Sequence, residues 1–170
     1  MKTMYELKNV TPADFRNAMA ALASAVCVVA LHHDGERLGR TVTAVLSLSL
    51  TPPRIVVSID RLSPFIQRLE QVKNFSFFIL SENQRDIADA FAGHIAPEKR
   101  FDIGDWQLDA SGHLYLPQSV VAASCAVHNF IPVGDHVLVI GDIKTLETNP
   151  DRAPLLWYQR RYNVTSPLSD

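Results

Sequence analysis

Apolar and hydroxyl-bearing residues alternate almost without a break from Thr41 to Pro53, TVTAVLSLSLTPP. Positions 42, 44, 46, 48 and 50 are Val, Ala, Leu, Leu and Leu, whereas 41, 43, 47, 49 and 51 are Thr, Thr, Ser, Ser and Thr. Val45 alone departs from the rule. A period of two is that of a β-strand with one buried face. The other face carries no charge, only small donors and acceptors. That suits close contact with a flat, polar, uncharged surface; a strand whose Ser and Thr simply meet water has the same pattern.

The rest of the chain reads as strands in short-linked pairs with a few helices between them. Thr11, Pro12 and Asp14 form a helix start, with a cap, a ring that presets φ and an acid at the positive end of the dipole. Phe15, Met19 and Leu22 then give an apolar stripe at helical spacing. Ala25–Leu31 is a continuous apolar run expected to be a buried strand, and His33–Gly35 a turn. Arg40–Leu50 is the alternating strand, or strand plus loop. Arg54–Asp60 and Phe75–Leu80 are further strands, with a short helix from Pro64 carrying Phe65, Ile66 and Leu69 between them. Ser81 with Gln84 three residues on has the capping-box pattern, predicting a helix to Ala92 that stops at Gly93. Residues 94–118 read as irregular. Val120–Phe130 and Asp135–Glu147 are long strands joined by a turn at Pro132–Gly134, and Leu155–Tyr158 precedes a polar tail. About seven strands and three helices in this order predict a mainly β fold with flanking helices and an antiparallel sheet, closed or nearly so.

Composition narrows the function classes. The 170 residues are 47% hydrophobic and 20% charged, enough for one domain with a real core, expected over 1–170 with its centre at about 12–162. A net charge of −2 leaves no electrostatic footprint for nucleic acid. The N-terminal stretch has no apolar segment of signal-peptide type, and no run is long enough to cross a bilayer, which predicts a cytoplasmic protein without membrane attachment. Cys27 and Cys125 lie far apart in apolar runs, as buried free thiols do. Among the histidines only the adjacent pair His32–His33 is close in sequence, and the two point to opposite sides of a strand, so no metal is expected. Neither GxGxxG nor GxxxxGK[ST] occurs.

Five segments in order, LGRTVTAVLSLSLTPPRIVVSID, NFSFFILSENQRDIADAFAG, the Arg100–Phe101 pair, Gly134-Asp135-His136 and PLLWYQRRY, resemble the short-chain flavin reductases, the NAD(P)H:flavin oxidoreductase components of two-component monooxygenases. The similarity runs from Phe15 to Tyr162. It implies a split β-barrel of the FMN-binding, Greek-key type, usually a homodimer with flavin near the subunit interface. The implied activity is of the EC 1.5.1 type: hydride from NADH or NADPH to N5 of FMN or FAD, the reduced flavin then diffusing to a separate oxygenase. Such chemistry needs placement of donor over acceptor at about 3–3.5 Å and little acid–base machinery. A non-catalytic flavin-binding or storage module on the same barrel is the alternative, and a haem-handling split barrel a remoter one.

The resemblance also assigns residues. The hydroxyls of Thr41, Thr43, Ser47 and Ser49 would meet the flavin ring edge and ribityl chain, with Val42 and Ala44 offering backbone groups in the same stretch. Ser63 matches a flavin-contacting serine. Asp60 stands where the family usually has Asn; it cannot donate and would repel a phosphate, and capping the helix at Pro64 is its other reading. Ser63 competes for that cap. Ser81, Asn83 and Gln84 open a helix whose free N–H groups suit a phosphate, or they form a plain capping box. Arg100, then Arg40, are the cations for a flavin phosphate, a lone loop Arg being otherwise a solvated side chain. His136 would lie near nicotinamide and flavin as the catalytic residue, or cap a turn. Tyr162 would cover the nicotinamide side, or pack in the core.

Overall fold

The computed structural model describes residues 9–166; both ends of the expected 1–170 domain lie outside them. The elements run α1 (Pro12–Met19), β1 (Ser24–Ala25), β2 (Cys27–His33), β3 (Glu36–Val42), β4 (Val45–Leu50), β5 (Pro53–Asp60), α2 (Pro64–Val72), β6 (Asn74–Ile79) and α3 (Arg85–Asp89). A wider helical turn at Ala90–His94 and a 3-10 turn at Pro97–Asp102 follow. Then come β7 (Gln107–Leu108), β8 (Leu114–Tyr115), β9 (Val121–Val133), β10 (His136–Thr148), β11 (Leu156–Tyr158) and β12 (Arg161–Asn163).

Seven strands form the main sheet in the order β3-β2-β6-β9-β10-β5-β4, every neighbouring pair antiparallel. A three-stranded sheet, β1-β11-β12, and the β7-β8 ladder complete the described residues. The run at 26–31 lacks a period of two because β2 is buried on both faces. Cys27, Val29 and Leu31 enter one apolar cluster with Val57, Leu69, Phe75 and Val139; Val26, Val28 and Ala30 enter the other with Phe78, Phe91 and Leu116. The two thiols are buried, and burial pushes both Cys27 and Cys125 up to about 12.

Several expectations are met in detail. Thr11 Oγ1 accepts from the Asp14 N–H at 3.2 Å while the Asp14 carboxylate accepts from the Thr11 N–H at 3.2 Å, a reciprocal box. Phe65, Ile66 and Leu69 bury the inner face of α2.

Others need correction. The α1 stripe buries nothing: Phe15, Met19 and Leu22 are all exposed. The alternating stretch is two strands, not one, broken at Thr43–Ala44. Its apolar face on β4 faces outward, Leu46, Leu48 and Leu50 being 53%, 46% and 89% exposed, while the off-pattern Val45 packs on the core. A bulge between Ser47 and Ser49 accompanies this. Ser81 does not start a helix. It is bridged to Pro154 in extended backbone, so α3 begins four residues later, and only the returning half of the box forms, Ser81 N–H donating to Gln84 Oε1 at 3.0 Å. The expected turn at Pro132–Gly134 is Gly134–Asp135, because β9 continues through Val133. Residues 94–118 hold the β7-β8 ladder, and the polar tail supplies β12.

One contact locks the helical segment to the sheet. Gly39 of β3 faces the Phe91 ring so closely that a Cβ there would sit 2.5 Å from Cε1. Phe91 cannot retreat, since Phe101 and Trp106 hold it with ring centroids at 4.8 and 5.2 Å. Gly39→Ala should therefore cost about 1–3 kcal/mol by overpacking. Urea unfolding reads this; a loss under about 0.3 kcal/mol would mean that the ring is free to move.

Candidate functional site

β3 is an edge strand, so one row of its backbone N–H and C=O groups is unused by the sheet. Beside it lies a cavity of about 450 Å³. Its walls are Leu38, Gly39, Arg40 and Thr41 of β3, the start of α2 (Ser63, Pro64, Phe65), and Phe91, Ala92, Gly93, Pro97 and Arg100 from the turns after α3. That size is within the range of small-molecule sites. Two arginines and two hydroxyls stand among apolar and backbone surface, with no carboxylate in the lining. Arg100 is anchored through Nε–H to the Ile95 carbonyl at 3.1 Å, which orients the guanidinium. Thr41 Oγ1 donates to the Ala88 carbonyl at 2.7 Å, tying β3 to α3. Ser63 is buried at the N-cap of α2, yet its hydroxyl makes no capping bond.

The remaining expected site residues lie elsewhere. Val42 is buried in the core, and Thr43 and Ala44 form the break before β4. Ser47 and Ser49 sit on β4, the opposite edge of the sheet in strand order, and do not line this cavity. Asp60 does not cap α2; its carboxylate accepts from the Leu62 N–H at 2.8 Å, shaping the turn that delivers Ser63. His136 pairs in register with Asp60 and its Nδ1 lies 2.7 Å from the Asp135 carboxylate. That bond holds Asp135 below the usual carboxylate range. His136 is exposed and outside the cavity lining; the turn at 60–63 links it to Ser63.

Gln84 is consumed internally: besides accepting from Ser81 it donates to the Pro117 carbonyl at 2.9 Å. Asn83 is exposed, and the Ser81 hydroxyl is buried without a partner. Tyr162 donates to Asp89 at 2.7 Å and lines a second cavity, of about 610 Å³, on the far side of Ala92. Sequence reasoning missed Gly39 and Phe91 as site walls. The expected strand began one residue later, at Arg40; a glycine read as part of that strand would have marked close approach by another group.

Residues 19–166 match the family described as flavin reductase like domain. The chain belongs to this family. Among its relatives, an NADH:riboflavin 5'-phosphate oxidoreductase of Streptomyces pristinaespiralis is 38% identical over 94% of this chain and 92% of its own. The reductase component of an FADH(2)-dependent resorcinol hydroxylase from a Rhizobium species is 31% identical over 96% of this chain and 95% of its own. The structure superposes on an NADH:FAD oxidoreductase of Streptomyces globisporus solved with NAD and FAD fragments, with a TM-score of 0.87 at 27% identity, covering 96% of this chain and all of that one. The five ordered segments of this flavin reductase-like chain thus pointed to the right family.

Proposed function

We propose that the chain is an NAD(P)H-dependent flavin reductase, one domain that reduces FMN or FAD and passes the reduced flavin to a separate monooxygenase component. The observation that carries this is the cavity along the free edge of β3, walled by backbone, hydroxyls and two arginines. Its donor set fits a flavin. The β3 edge offers backbone partners for ring carbonyls, Ser63 a free hydroxyl, and Arg40 and Arg100 cations for a phosphate. Once flavin is bound beside the nicotinamide donor, the chemistry is hydride transfer from nicotinamide C4 to flavin N5. The protein's share is to hold the ring against β3 and leave one face open to the donor. This cavity carries no flavin role for His136, Ser47, Ser49 or Tyr162, none of which lines it. The relatives named for NADH and for FMN or FAD support the same reading.

The seven-stranded sheet would then be the split barrel with Greek-key connections, and the working unit a homodimer. The exposed leucines of β4 and the exposed face of α1 support dimerisation, since apolar patches of this kind mark contact surfaces. Light scattering should give twice the 18.9 kDa chain mass; a monomer at micromolar concentration would contradict this. A cytoplasmic setting suits the unpaired thiols.

The activity test is oxidation of NADH and NADPH in the presence of FMN, FAD and riboflavin in turn. Loss of the nicotinamide absorbance together with flavin bleaching under anaerobic conditions is the expected outcome. Flavin binding with neither donor oxidised would leave a storage module and overturn the reductase.

A further inference from the structure

The second cavity, like the first with its two arginines and no carboxylate, is cationic. Arg85, Arg160 and Arg161 line it together with His94, against one carboxylate, Asp89. Asp89 is heavily engaged: it accepts from Tyr162, and Arg85 and His94 approach it at 3.7 and 3.5 Å. It therefore fixes the positions of neighbouring donors and does not neutralise the group. Arg85 stacks on the Tyr162 ring with its guanidinium carbon 5.1 Å from the centroid, and Arg160 is tied to Asn17 at 2.7 Å. The Arg161 side chain makes no hydrogen bond or ion pair among the described residues; its backbone carbonyl accepts from the Asn163 side-chain amide at 2.9 Å. Residues 159 and 160 form the two-residue link between β11 and β12, both with positive φ (48° and 59°) and neither a glycine. Such a link ordinarily takes Asn-Gly, so the position carries side chains at a conformational cost.

The wall also has an aromatic face. Trp157 and Tyr162 meet edge-on with centroids 5.0 Å apart, and both line the cavity. A cation cluster beside a half-buried aromatic surface fits a phosphate attached to a purine nucleoside. The two cavities adjoin at Ala92, which lines both. A ligand with a ring system at one end and a phosphate-linked adenosine at the other could span them.

We propose that this second cavity receives the adenosine-phosphate end of a dinucleotide while a reacting ring occupies the cavity beside β3. Two molecules in the proposed reaction carry that chemistry, FAD and the nicotinamide donor. The inference rests on the reductase reading for its ligands, but the site itself can be read without turnover. The probe is ADP, its affinity measured calorimetrically on the full chain, wild type and Arg161→Gln, alongside flavin affinities for FMN and FAD. The Arg161 side chain is exposed and has no partner among the described residues, so its replacement leaves no buried group unsatisfied.

The expected result is ADP binding that weakens about tenfold in the variant, as loss of a charge-assisted contact does, with FMN affinity within about twofold of wild type. A parallel loss of FAD affinity names FAD as the source; a rise in the KM for NADH or NADPH with FAD affinity unchanged names the donor. As a control that needs no variant, ADP affinity of the wild type should fall as salt is raised. ADP affinity equal in wild type and variant and insensitive to salt, or no ADP binding at all, would overturn the proposal. If ADP binds as expected but no nicotinamide donor is oxidised, the reductase reading fails and the adenosine-phosphate site stands.

Discussion

The approach of Phe91 to Gly39 is the contact on which both cavities depend. Without a Cβ at 39 the aromatic ring lies directly on β3, and the Thr41 hydroxyl fixes the same segment one residue pair further along through the Ala88 carbonyl. Residues 85–94 are thereby pinned to the sheet edge. On one side they close the cavity beside β3 with α2; on the other, Asp89 reaches Tyr162 and ties in the C-terminal hairpin. A single glycine-aromatic contact thus sets the spacing of two ligand-sized spaces.

The same constraint explains why the helical segment departs from regular form. α3 is five residues long and gives way to the wider turn at Ala90–His94, which contains Gly93, whose φ of 103° only glycine adopts readily. The segment is shaped by what it packs against. Phe78, Phe91, Phe101 and Trp106 form one aromatic cluster, with neighbouring centroids within 5.5 Å.

Much of the architecture could be read from local pattern. The Thr11–Asp14 box, the buried face of α2 and the two-faced burial of β2 follow from spacing and side-chain chemistry alone. Where the reading failed, a tertiary contact overrode it. Ser81 has the residues of a helix start, but its bridge to Pro154 keeps the chain extended there. The leucines of β4 have the period of a half-buried strand. Their strand is an edge, so the face expected inside is left uncovered in the single chain. The site was legible in part for the same reason. Arg40, Thr41, Ser63 and Arg100 line one cavity, although they come from three separate places in the sequence. Arg85, Arg160 and Arg161 carried no local signal beyond charge, because their convergence depends on β11 and β12 folding back beside α3.

Backbone hydrogen exchange with and without saturating FMN tests most directly whether the β3 edge and the pinned segment form the flavin site. Added protection should concentrate at residues 38–41, 63–65 and 91–100. Bound FMN that protects β4 alone, or leaves those three stretches unchanged, would contradict the account.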